Sequence, residues 1–190
     1  MKKFLFIFLI LFPSGLFAFQ PKTVVHLSFG SYSQDADDVS LTGSDFSVGA
    51  KYYSHPNFAY FGSAGSGQST GVWTSTDETM ATEVSENHAE VVGGVEVRSQ
   101  VIEKPSITPF IGLGLKVQSY SYDFNYVGSD IGETSGVGYG PIANVGVRLG
   151  LGRNFTIIPN YYFSTMTITG ENSDFTVISS GLQVSLVAGF

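Results

Sequence analysis

The sequence predicts an all-β protein, an eight-stranded antiparallel up-and-down transmembrane β-barrel. Three observations carry that reading. The last nine residues place Leu182, Val184, Leu186, Ala188 and Phe190 on one side and Gln183, Ser185 and Gly189 on the other. That period of two marks a strand with one face in an apolar medium. An exposed hydrophobic edge in water invites aggregation, whereas in a closed barrel the last strand pairs with the first. The same alternation recurs in eight blocks of about ten residues, the length of a tilted transmembrane strand. Finally, the connections alternate between short and long, and the acidic residues gather in the long ones.

Taken in order, the first block sets Val25, Leu27 and Phe29 against His26, Ser28 and Gly30, and the second sets Phe46, Val48, Ala50 and Tyr52 against Ser47, Gly49 and Lys51. The third, from Phe58 to Ala64, is the least regular. In the fourth, Ala89, Val91, Val95 and Val97 oppose Glu90, Gly94, Glu96 and Arg98. The fifth opposes Ile111, Leu113, Leu115 and Val117 to Gly112, Gly114, Lys116 and Gln118. In the sixth, Val137, Tyr139, Ala143, Val145, Val147 and Leu149 face away from Gly140, Asn144, Gly146 and Arg148. The seventh runs from Phe155 to Ile168, and the eighth from about Phe175 to the last residue.

His55-Pro-Asn57, Glu103-Lys-Pro-Ser106 and Leu151-Gly-Arg-Asn154 carry the Pro, Gly and Asn of tight turns. The other connections, about 34–45, 71–88, 123–134 and 169–174, read as long polar loops. They hold 13 of the 16 acids and no Lys or Arg. In a bacterial barrel such loops lie outside the cell and short turns lie in the periplasm.

Met1-Lys-Lys3, the apolar run from Phe4 to Phe12 and Leu16-Phe-Ala18 read as a secretory signal peptide over residues 1–18. Its apolar core is too short to span a bilayer as a helix. Residues 19–190 are then one barrel domain. There is no cysteine, so disulfides, thiol nucleophiles and thiolate metal sites are excluded. The chain is rich in glycine (23), phenylalanine (16) and tyrosine (10), and only 13% of it is charged, which suits strands with aromatic belts and small inward residues.

The signal peptide, the run Pro109-Phe-Ile-Gly-Leu-Gly-Leu115 and the terminal strand ending in Phe190 together resemble the small outer-membrane β-barrel superfamily of opacity-type surface proteins and OmpA-type barrel domains. The resemblance covers the whole mature chain. It implies eight strands and a role in envelope integrity, adhesion or resistance to host defences. It also implies that Phe190 is an assembly signal read by the barrel-assembly machinery. These motifs are architectural and specify no activity.

An eight-stranded barrel is narrow enough for side chains to fill. The inward set includes Lys51, Glu90, Glu96, Arg98, Lys116 and Arg148. Confined charges must be paired or hydrated. The fourth hairpin sets Glu90 about level with Lys116, so these two are expected to pair. Glu96 is expected to meet Arg98, Arg148 or Lys51. A water-filled lumen with solvated charges is the alternative.

Candidate chemistry is thin. His26 and Ser28 share a face, but a hydrolase would need a carboxylate to orient the histidine. An ordinary polar lining is the simpler reading. Gly112-Leu-Gly114 and Gly136-Val-Gly-Tyr-Gly140 lack the following helix of a phosphate cradle. Asp35, Asp37 and Asp38 match no defined calcium loop. No catalytic residue, metal ligand or cofactor is assigned. The chain is expected to be a non-enzymatic monomer of the Gram-negative outer membrane, in contact with its lipid and lipopolysaccharide. Its acidic loops would serve structural work or a host or extracellular ligand. They would oppose binding of nucleic acid. A small-solute porin-like channel, an outer-membrane lipid-modifying enzyme and a soluble lipocalin-like barrel are the competing readings.

Overall fold

The computed structural model describes residues 22–36, 39–74, 81–99, 107–126, 129–150, 155–169 and 174–189. Residues 1–18, which read as a signal peptide, and Phe190 lie outside the described residues. Eight strands follow one another: β1 (Lys22–Ala36), β2 (Val39–His55), β3 (Phe58–Thr74), β4 (Ala81–Arg98), β5 (Ile107–Tyr126), β6 (Ser129–Gly150), β7 (Phe155–Thr169) and β8 (Asp174–Gly189). Each pairs antiparallel with its neighbour in sequence, and β8 closes on β1 from Val24↔Gly189 to Ala36↔Val177. Closure leaves the described sheet without an edge strand, so the hydrophobic terminal strand is fully paired.

The short connection after β2 is a two-residue turn, Pro56-Asn57, pinned by Arg98 N–H donating to the Asn57 carbonyl at 3.0 Å. This turn, Lys22 at the start of β1 and Gly189 at the end of β8 define the near end of the barrel. The ladder between β6 and β7 is interrupted beside Pro141 and Pro159. A proline has no N–H to give a ladder, and these two remove theirs from the same seam.

At the far end the strands continue through most of the expected loops. β1 and β2 pair out to Ala36↔Val39, β3 and β4 to Thr74↔Ala81, and β5 and β6 to Tyr126↔Ser129. Asp35, Asp45, Glu83, Glu86, Asp123, Asp130, Glu133 and Asp174 are therefore strand residues. Asp37, Asp38, Asp77, Glu78 and Glu171 lie outside the described residues.

The alternation changes phase on the way, which is why these segments read as loops. On β2, Phe46 and Val48 point outward while Leu41 is buried inside. On β5, Leu113 and Leu115 point outward while Tyr120 and Tyr122 are buried. On β7, Phe155 and Phe163 point outward while Met166 and Ile168 are fully buried. The outer face of the far part is mixed, with exposed Ser31, Ser33, Thr42, Asn87 and Thr167 beside Val72 and Ile178. An apolar outer band with polar side chains inside suits hydrocarbon; hydroxyls outside and an apolar core suit water. One wall thus has both patterns, stacked along its axis.

Apolar side chains cluster inside the barrel toward each end. Leu41, Val84, Tyr120, Tyr122, Met166, Ile168 and Val177 form the far cluster. Val24, Tyr53, Ala59, Phe110, Ile158 and Val187 form the near one. Between them lie most of the charged and hydrogen-bonding residues, while Arg98 and Arg148 are level with the near cluster.

Candidate functional site in the barrel interior

Strand alternation puts Lys51, Glu96, Arg98 and Arg148 on inward positions of β2, β4 and β6 near the short turns. Glu96 is buried and bonds the Lys51 ammonium directly, while Arg148 stands 3.9 Å from its other oxygen. Arg98 shares no ion pair with Glu96; its Nε–H donates to the Pro56 carbonyl instead. Both guanidiniums lie over the Tyr53 ring, at 4.3 Å for Arg98 and 4.9 Å for Arg148. Lys51 also approaches the Phe110 ring at 5.0 Å.

Halfway along the axis, Lys116 pairs with Glu90 at 2.7 Å. The strand register sets Glu90 opposite Gln118 and Val92 opposite Lys116, so the pair is diagonal, one inward position out of level. Beside it the Tyr162 hydroxyl donates to Asp45 at 3.1 Å, and Lys116 lies 6.0 Å from the Tyr162 ring. A cavity of about 50 Å3 opens among His26, Asp45, Lys51, Glu90, Lys116 and Asn160. It has room for a few water molecules and no wide pore. Ser28 and Ser185 bond to each other across β1 and β8 at 2.7 Å. His26 Nδ1 has no partner among the described residues, so the His26–Ser28 pair lacks the geometry of a charge-relay nucleophile.

Toward the far end sits a carboxylate that its loop assignment had hidden. Glu86 is fully buried. Ser69 donates to it at 2.6 Å, Gln118 at 2.9 Å and Tyr32 at 3.4 Å, and His88 Nδ1 stands 3.4 Å away. Its neighbours are hydroxyl, amide and imidazole groups, an arrangement that holds a buried carboxylate through several hydrogen bonds. Gln34 donates to Tyr122 at 2.7 Å and completes this layer. Asp45 and Glu86 fall in segments that read as polar loops, so apolar alternation alone does not mark either as an interior acid. The detectable signal was parity: Glu86 shares the even-numbered face of β4 with Thr82, Val84 and His88, and all four are buried.

Asp35 accepts a hydrogen bond from Ser40 at 2.5 Å within the first hairpin. Its proposed companions Asp37 and Asp38 lie outside the described residues.

No protein-family model and no curated protein matches the chain. Solved structures do. Neisserial surface protein A superposes with a TM-score of 0.56 at 15% identity, covering 90% of this chain and all of that one. The outer membrane protein OprG of Pseudomonas aeruginosa gives 0.59 at 9% identity, with coverage of 89% and 97%. The fold is that of the small outer-membrane barrels. Ail, the attachment invasion locus protein of Yersinia pestis, gives 0.51 at 13% identity over 89% of this chain and 99% of its own. At such identities the likeness is one of architecture, and the roles of individual residues rest on the contacts above.

Proposed function

We propose that this protein is a non-enzymatic integral barrel of the Gram-negative outer membrane, exported by its leader. Its closed, cross-linked interior would serve rigidity, and its far end would serve structural or surface-interaction work. The observation that carries this reading is the double inversion of the wall. Large apolar side chains such as Leu115, Leu182 and Phe155, each about two-thirds exposed, cover the outside of the middle and near end, while ion pairs fill the inside. Exposed apolar area on that scale is not sustained in water. Above it the same strands turn hydroxyls outward and apolar groups inward, forming a stub that is stable outside the bilayer. Acidic groups along the stub, including Asp35, Glu83, Asp123 and Glu133, leave it negatively charged.

Lipid and lipopolysaccharide are its surroundings on this reading, the assembly machinery reads Phe190, and the barrel acts as a monomer. Carbonate-washed membranes are expected to retain the protein, and unheated samples to migrate faster on a gel than boiled ones. Release by carbonate with no heat-dependent shift would sink the membrane assignment and favour a soluble barrel. The porin-like alternative makes a different demand. With apolar clusters toward both ends and a cavity of only about 50 Å3 between them, purified protein is expected to show no discrete conductance steps in planar bilayers. Regular steps would replace the structural reading with a channel.

A further inference from the structure

Near the short turns, three cations share one carboxylate. Glu96 bonds Lys51, Arg148 reaches it only at 3.9 Å, and Arg98 is turned to the Pro56 carbonyl. The other interior carboxylates are committed farther along the axis: Glu90 to Lys116, Asp45 to Tyr162, and Glu86 to Ser69 and Gln118. Among the described side chains, Glu96 is the one carboxylate beside Lys51, Arg148 and Arg98, which leaves a local excess of two positive charges at the near end. The Tyr53 ring attracts both guanidiniums but is neutral and compensates no charge.

Two donors there also lack acceptors. Arg148 Nη1 and the Tyr53 hydroxyl are buried without a hydrogen-bond partner, as is Glu96 Oε1, which stands 3.9 Å from that nitrogen and out of bonding reach; Tyr53 as a whole is only 3% exposed. Uncompensated charge next to unused donors is costly, and one ligand relieves both costs. Guanidinium forks match the oxygen spacing of phosphate and carboxylate, and a phenol O–H adds a further donor. A phosphate monoester carries about −1.5 to −2 at neutral pH, close to the excess of two, whereas a carboxylate carries half that.

We infer that Arg98, Arg148 and Tyr53 form a binding site for a phosphate-class oxyanion at the near end of the barrel. Both arginines are half-buried, so the site communicates with that mouth and is not sealed in the core. The phosphate is either free or the headgroup of a phosphomonoester lipid.

The test uses the full mature barrel folded in an uncharged maltoside detergent. Inorganic phosphate is titrated against chloride at matched ionic strength while the arginine side-chain N–H resonances and the heat released are followed. Saturable phosphate binding, at least tenfold weaker in Arg148→Gln and in Arg98→Gln but unchanged in the exposed-site control Lys22→Gln, supports the site. Equal responses to phosphate and chloride overturn it, as does a wild type that takes up no phosphate because one of the chain's own carboxylates already fills the position. If the arginine variants do not fold, the wild-type contrast between phosphate and chloride decides alone. Phosphatidylcholine vesicles with and without phosphatidic acid form the second arm. Arginine shifts that need phosphatidic acid identify the lipid as the source, and silence in both arms overturns the site.

Discussion

Replacing Glu96 by glutamine is expected to be the most damaging charge substitution in this barrel, costing about 3–5 kcal/mol in urea unfolding from detergent or vesicles. Glu96 is almost wholly buried and is the sole described carboxylate among Lys51, Arg98 and Arg148. Its loss leaves three confined cations facing one another. The penalty is that of stranding charges already taken out of water, and it exceeds the net worth of the pair itself. Removing both partners in Glu96→Gln/Lys51→Met should therefore restore much of the loss. A double variant as unstable as the sum of the two single ones would refute the coupling. The diagonal pair Glu90–Lys116 belongs to a less crowded layer, so its single substitutions should cost less.

Gly140→Ala is the second large effect. Gly140 is inward on β6, and a β-carbon there would collide with the Thr165 carbonyl oxygen and lie 2.9 Å from the Met166 Cα. Those are backbone atoms of β7, which cannot rotate out of the way. The two strands would have to part at the seam already weakened by Pro141. The expected outcome is loss of the folded, fast-migrating gel species, or an unfolding free energy lower by about 3 kcal/mol, at the upper end of overpacking costs. Gly93→Ala is the matched control. Gly93 faces outward, and its β-carbon would find nothing nearer than the Phe61 carbonyl at 3.9 Å. Alanine there should be neutral or stabilising by about 0.5 kcal/mol, through the lower backbone freedom of the unfolded chain. Equal damage at both positions would show that the wall, and not this one contact, sets the cost.

The middle of the barrel was legible because a strand in a bilayer has one simple rule. Val25, Leu27 and Phe29 alternate with His26 and Ser28, and the structure gives each the face its parity requires. The far extensions escaped because that rule reverses where the surroundings change to water. Scored for apolar residues on the outward phase, 34–45 and 71–88 look like loops; scored on the opposite phase, Leu41 and Val84 are core residues. The reversal is present in the sequence, but it becomes visible only when each strand is allowed two solvents. The third strand was irregular for a related reason: its outward positions Gly62, Ala64 and Ser66 are small, so no hydrophobic stripe announces them.

The candidate site was legible in membership and not in wiring. Lys51, Glu90, Glu96, Arg98, Lys116 and Arg148 are all placed inward by alternation alone. Which cation each carboxylate holds depends on shear and register around the closed wall, quantities that link strands distant in sequence. By itself, then, the sequence determined the strand count, the antiparallel order and the inward identity of the charged residues, because local periodicity and turn chemistry act over a few neighbours. Only the tertiary structure decided that Glu96 serves Lys51, that Arg98 turns away to Pro56, and that Glu86 is held by Ser69, Gln118 and Tyr32 from three other strands. The contacts that cross the lumen, Tyr32 on β1 with Glu86 on β4 and Tyr162 on β7 with Asp45 on β2, depend on the curvature of the closed wall, which brings strands that share no ladder within bonding distance.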